Sequence, residues 1–170
     1  MNAHSDAVLR RERRLYLLLT AVCLALIGGA LYFQYALGED PCPLCILQRY
    51  ALALIAIFGL AGAVSRGWAG IRLARWLSAL SALGGAGAAA YLMYVQANPM
   101  VSCGYDVVEG FVDALPTSRW LPQVFQVQGM CQTVYPPILG LSLPTWALIG
   151  FVAIFLALVF HRPRRTSALA

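Results

Sequence analysis

The chain has 170 residues, 61% of them apolar, and a formal net charge of +5 in which every cation is an arginine. A soluble core of this size does not need so much apolar material, so an ordinary water-soluble globule is excluded in favour of a membrane protein. The basic balance does not describe a nucleic-acid binder either, because the arginines cluster between apolar runs and do not line one face.

Four runs are long enough to cross a bilayer, at about 20 residues for roughly 30 Å of hydrocarbon. They cover approximately 15–37, 46–64, 76–95 and 143–160. No alternation of period two is present, which argues against a barrel. The first run follows "RRERR" and exceeds the roughly 7–15 apolar residues of a signal peptide, so it is expected to persist as a helix. It ends on Tyr32, Phe33, Gln34 and Tyr35, and the short segment 38–45 follows with Glu39, Asp40 and "CPLC". The second run contains Arg49, a charge one turn inside the apolar stretch. The third carries "LGGAGAAA", a small-residue face suited to close helix packing. The long segment 96–142 then holds Cys103, Cys131 and breakers at Pro99, Pro116, Pro122, Pro136 and Pro137. It shows few strand signals and no evident core. The fourth run opens with Pro144, which is tolerated in a first turn.

The arginines predict orientation. Arg10, Arg11, Arg13 and Arg14 precede the first run, Arg66, Arg72 and Arg75 separate the second from the third, and Arg162, Arg164 and Arg165 follow the fourth. The other side keeps Arg49 and Arg119 beside Glu39, Asp40, Asp106, Glu109 and Asp113. Both termini are therefore expected in the cytoplasm, with 38–45 and 96–142 facing outward. Aromatic belts agree, with Tyr32, Tyr35, Tyr91, Tyr94 and Trp146 at the outer interface and Trp68 and Trp76 at the inner one. The expected fold is all-α, a four-helix membrane bundle forming a single integral membrane domain over 1–170.

Four of the five cysteines, Cys42, Cys45, Cys103 and Cys131, fall in the two outward segments, and Cys23 falls inside the first run, where it reads as a small packed hydrophobe. Thiols outside the cytoplasm normally end oxidised. Two structural disulfides would explain them, and a bridge between Cys103 and Cys131 would contribute roughly 3–4 kcal/mol by chain entropy. Cys42 and Cys45 fit that reading less well, because so small a ring restricts the unfolded chain little. A helix N-terminus and a nearby cation favour thiolate chemistry instead. Cys45 opens the second helix, and Arg49 lies four residues on, on the same face. Arg49 can hold a thiolate, or a reduced anion beside it, at the membrane rim; the plain alternative is an arginine that snorkels to mark the boundary. A four-thiolate zinc or Cu(I) site is also conceivable, but the second pair lacks the tight spacing, and His4 and His161 flank the opposite ends.

"PCPLCILQR", the spaced Cys103 and Cys131, and "RWLPQVFQVQGMCQTVYPPILGLSLPTW" ahead of the fourth run together resemble the DsbB family, disulfide-bond formation proteins of bacterial inner membranes. The likeness covers roughly residues 15–160. It implies an oxidoreductase that recharges DsbA, a soluble periplasmic thioredoxin-fold oxidase, and passes electrons to ubiquinone or menaquinone and so to the respiratory chain. By resemblance, the partner attacks Cys103 of a Cys103–Cys131 bridge, Cys131 next pairs with Cys42, and Cys45 is left as the thiolate that reduces the quinone. Exchange of this kind needs an attacking thiolate and a good leaving thiol, and a partner near −120 mV requires a strong electron sink. Arg49 matches the family arginine at the quinone site, and Gln34 matches a nearby glutamine, although plain helix packing would also explain Gln34. "NPMVSC" is extended by Pro99, and Met100 is an adaptable apolar side chain, so Pro99 and Met100 are candidate partner contacts. The resemblance further suggests a short horizontal helix near "YPPILGLSLPTW".

One departure stands out. Many members carry a histidine near the outer end of the third helix, and Leu92 takes that place here. Two rival readings remain: a non-catalytic membrane protein whose cysteines are structural or bind metal, and a relative serving one dedicated client.

Overall fold

The computed structural model describes residues 3–65, 67–98, 100–101, 103 and 105–161, with side chains from Val8 onward except at 105–107. Arg66, Pro99, Arg162, Arg164 and Arg165 lie outside the described residues. Four long helices are α1 (Ala3–Leu37), α2 (Pro43–Val64), α3 (Trp68–Ala97) and α7 (Leu143–Phe160), and each contains a stretch long and apolar enough to span a membrane. Three short helices, α4 (Tyr105–Ala114), α5 (Pro116–Trp120) and α6 (Pro122–Phe125), lie between α3 and α7. Among the described residues the extended structure is limited to one isolated bridge, Ile138 to Leu141. The protein is an all-α, multi-pass membrane protein.

The helices outrun their apolar stretches. α1 begins at Ala3 and not near 15, and α3 begins at Trp68 and not at 76. A polar flank rich in arginine and alanine propagates a helix as readily as leucine does, so hydropathy marks the span and not the helix end. α2 starts before Ile46 because Cys42 is an N-cap in extended conformation and Pro43 occupies the first turn with its φ already set. Pro116 and Pro122 start α5 and α6 by the same means.

α2 and α3 form the centre, with α1 against α2 and α7 against α3. The core joins Cys23, Ile55, Ala82 and Phe151 at mid-height. Small residues decide how closely the helices approach. A Cβ on Gly85 would lie 2.4 Å from the Phe151 ring, so α3 and α7 pack as they do only with glycine there. Gly84 and Gly87 face open space, so only part of the small-residue run serves packing within this chain.

The segment after α3 differs most from expectation. It has a core, borrowed from α2. Val112, Phe125 and Val127 close over Ile46, and the Tyr50 ring stacks on Phe125 with centroids 4.4 Å apart. Tyr50 also hydrogen-bonds Thr117, and the Tyr35 hydroxyl donates to the Gln123 carbonyl at 3.0 Å. No helix forms in the "YPPILGLS" stretch. The helices precede Cys131, and 135–142 makes a tight turn with Leu139 at φ 52° and Gly140 at φ 81°. Tandem prolines remove two backbone donors, which works against a helix there.

Candidate functional site

The first thiol pair is built into the start of α2. Cys42 takes the N-cap position usually held by serine or aspartate, and its sulfur accepts from the Cys45 backbone N–H at 3.3 Å. The cap turns the two sulfurs toward each other, 2.7 Å apart, so a small approach makes a bond. Cys42 is buried, and its thiol is pushed above the ordinary cysteine range, first by the hydrogen bond with Cys45 and then by burial.

The second pair closes a disulfide, Cys103 to Cys131, with Cα atoms 6.2 Å apart. Cys42, Cys103 and Cys131 are all buried in one cluster with Leu44, Leu92 and Val95, and Cys45 packs against it. Residues far apart in sequence thus become neighbours. The Cys131 side is fastened to the first pair. The Gln128 and Gly129 backbone N–H groups both donate to the Pro41 carbonyl, at 3.0 and 3.1 Å. The Tyr135 hydroxyl donates to the Asp40 carbonyl at 3.2 Å. A Cβ on Gly129 would meet the Asp40 carbonyl oxygen at 2.4 Å, so this crossing needs a residue without a side chain.

Arg49 is 5% exposed. Its Nη1 donates to Gln34 Oε1 and to the Val124 carbonyl, both at 2.8 Å, and its Nη2 donates to the Ala30 carbonyl at 3.4 Å. The Gln34 amide in turn donates to Gln128 Oε1 at 2.9 Å. Arg49 therefore does not snorkel. It is clamped by α1 and by the 122–128 segment, within electrostatic range of Cys45 and Cys42. Among the described residues no carboxylate pairs with it. A buried cation held by neutral oxygens is poised for an anion or a negatively polarised oxygen.

Beside this cluster runs an apolar groove of about 650 Å³ between α1 and α7. Ala25, Gly29 and Phe33 form one wall and Trp146, Ala147 and Gly150 the other. Its inner end carries Cys42, Cys45, Gln48 and Arg49. Leu92 contributes an apolar contact to both the groove and the cysteine cluster. Volume and lining suit a flat, lipid-soluble molecule bearing a few polar atoms. Orphaned polarity at the inner end, from Gln48 Nε2, gives such atoms a destination. Among the described residues no group of three His, Cys, Asp or Glu side chains is arranged to hold a metal ion.

Thus Cys42, Cys45, Cys103, Cys131, Arg49 and Gln34 come together. Met100 stands apart at 98% exposed, and Pro99 is outside the described residues. Sequence reasoning passed over Gln48, Gln128 and Gly129. The one available signal was that Gln48 and Arg49 put two polar residues side by side in an apolar run.

Comparison with known proteins agrees with this arrangement. A family model described as "Disulfide bond formation protein DsbB" matches residues 12–161. "Disulfide bond formation protein B" of Burkholderia pseudomallei (strain 1106a) is 56% identical over 160 residues, covering 92% of this chain and 95% of that protein. "Disulfide bond formation protein B 1" of Pseudomonas entomophila (strain L48) is 54% identical over 159 residues, with coverage of 92% and 95%. The protein of that name without a number in Burkholderia ambifaria is 51% identical over 166 residues, covering 98% of each chain. With four membrane-spanning helices and a bridged cysteine pair packed on a second thiol pair, the chain belongs to the DsbB family of disulfide bond formation proteins, membrane thiol oxidoreductases.

Proposed function

We propose that this protein sits in the bacterial inner membrane, takes electrons from a periplasmic DsbA-like dithiol oxidase, and delivers them to a membrane quinone. The arginine distribution supports cytoplasmic termini and a periplasmic cysteine end. One observation carries the rest: all four outer cysteines gather in one cluster, and Cys42, Cys45 and Cys131 of that cluster line an apolar groove that also holds a buried guanidinium.

The steps follow from thiol–disulfide exchange. A partner thiolate attacks Cys103, breaking the Cys103–Cys131 bond and releasing the electron pair onto Cys131. The second partner thiol displaces Cys103, and the partner leaves oxidised. Cys131, held beside Cys42 by the Pro41 clamp, attacks Cys42 of the oxidised first pair and frees Cys45 as a thiolate. Cys103 then attacks Cys131, re-forming the outer bridge and leaving Cys42 and Cys45 reduced. A quinone in the groove supplies an acceptor for two electrons and two protons, which restores the Cys42–Cys45 bond. Arg49 offsets the negative charge that gathers at Cys45 and at the acceptor's oxygen. Exposed Met100, three residues before Cys103, offers the partner an adaptable apolar contact.

The test is purified protein with a reduced thioredoxin-fold dithiol oxidase and ubiquinone, followed by quinone absorbance. Wild type is expected to turn over, and Cys45→Ser to lose more than a thousandfold, as removal of a covalent catalytic group does. Cysteine-bound metal without quinone reduction would overturn the proposal.

A further inference from the structure

We propose that Gln48 is a quinone-recognition residue: its side-chain amide donates a hydrogen bond to a carbonyl oxygen of the acceptor at the inner end of the groove. This rests on the reading of the groove as a quinone site and adds to it a residue that reads the acceptor's oxygen chemistry.

Gln48 lies three residues after Cys45, on the same face of α2, and immediately before Arg49. It is 9% exposed, and its Nε2 has no hydrogen-bond partner among the described residues. Buried polar atoms nearly always find partners, because an unpaired amide in apolar surroundings is costly. Gln48 lines the groove together with apolar residues such as Leu52, Leu92 and Phe151, which offer nothing to an N–H. The Arg49 Nη1 is already shared between Gln34 and the Val124 carbonyl, so Arg49 supplies charge with only part of its donor fork free. Among the described residues lining the groove, Gln48 Nε2 is a buried donor with no partner at all.

The chemistry of the pair is suited to redox turnover. A quinone oxygen only accepts hydrogen bonds, whereas the same oxygen in the reduced product carries a hydroxyl that also donates. An amide serves both states, donating through Nε2 and, after a half-turn about its last torsion, accepting through Oε1. A guanidinium only donates. Gln48 thus lets one site hold the acceptor before and after reduction without leaving an unpaired polar atom.

The experiment uses full-length protein in detergent micelles and a short-chain ubiquinone labelled with carbon-13 at its carbonyls. Binding is read by quenching of tryptophan fluorescence, since Trp146 lines the groove. Infrared difference spectra read the carbonyl stretch. In wild type one carbonyl band should lie below its free value; in Gln48→Leu it should return toward that value, with Kd raised about five- to tenfold. Without quinone, Gln48→Leu should raise Tm, because the variant removes an unpaired buried amide. That gain shows the variant folds, and it distinguishes recognition from a structural role, which would lower Tm. An unchanged band and Kd in Gln48→Leu, with wild type binding normally, overturns the role of Gln48 alone. Wild-type protein that neither quenches nor shifts the band defeats the quinone reading itself.

Discussion

The first and last membrane helices, α1 and α7, meet at one end of the bundle and part at the other. At the arginine-rich end the His161 ring contacts both Glu12 carboxylate oxygens at 3.0 Å, Arg75 donates to the His161 carbonyl at 3.0 Å, and Tyr16 donates to the Ile71 carbonyl at 3.3 Å. Leu158, Ile71 and Ala79 pack around Tyr16 there. At the cysteine end the same two helices are separated by the groove, and polar groups converge on Arg49 instead of joining α1 to α7. The closed end ties α1, α3 and α7 together through side-chain hydrogen bonds, although Arg13 Nε and Ser78 Oγ are buried without a partner among the described residues. The open end leaves a cation without a carboxylate and an amide without a partner. What sets the open end apart is that its unmet polar groups line a groove, which is what a site for an exchangeable ligand requires.

The comparison breaks most visibly at Arg49. Arg49→His should lower kcat/KM for quinone about ten- to a hundredfold, the usual cost of losing charge-assisted hydrogen bonds, while exchange with the dithiol partner stays within about threefold. Stopped-flow measurement of each half-reaction checks this. Lost partner exchange with normal quinone kinetics would remove Arg49 from the acceptor side.

A smaller effect is expected at the clamp beside Cys131. Gly129→Ala pushes a Cβ into the Asp40 carbonyl and should displace Cys131 from Cys42. The Cys131-to-Cys42 step, trapped by acid quench and read by mass spectrometry, should slow about tenfold. Attack by the partner on Cys103 should be unaffected; if both slow equally, the clamp does not set this geometry.

The smallest change belongs to the closed end. Glu12→Gln leaves hydrogen bonding possible but removes the carboxylate opposite a partly exposed histidine, so a cost of about 0.5–1 kcal/mol is expected in thermal unfolding. Quinone KM should not move. A shifted KM would mean that the latch at one end sets the width of the groove at the other, and the two ends would have to be treated as one device.

Much of this was legible in the chain. Length and apolar content predict four spans, because bilayer thickness sets a minimum run of residues. "CPLC" ahead of a long apolar run places a thiol pair at a helix entrance, and Cys42 is the N-cap of α2. Gln34 was ambiguous in sequence, and its hydrogen bond to Arg49 links it to the site. The short helices α4 to α6 were not legible, because their apolar faces become a core only once Ile46 and Tyr50 are placed beneath them. Gln48, Gln128 and Gly129 were missed for a related reason. Each is an ordinary residue whose importance comes from what stands opposite it.

The amino-acid sequence by itself determined that the chain is helical and membrane-spanning, and it supplied paired thiols and a cation near one interface. These follow from local or one-dimensional properties: run length, charge placement, proline position and residue spacing. Only the tertiary structure decided that Cys131 lies against Cys42, that Arg49 is clamped by α1 and the 122–128 segment, and that α1 and α7 part to leave a groove. Those depend on contacts between residues distant in the chain, such as Gly129 against Asp40 and Gly85 against Phe151. Such pairings are set by shape complementarity in a packed interior, a property that belongs to the pair and to neither residue alone.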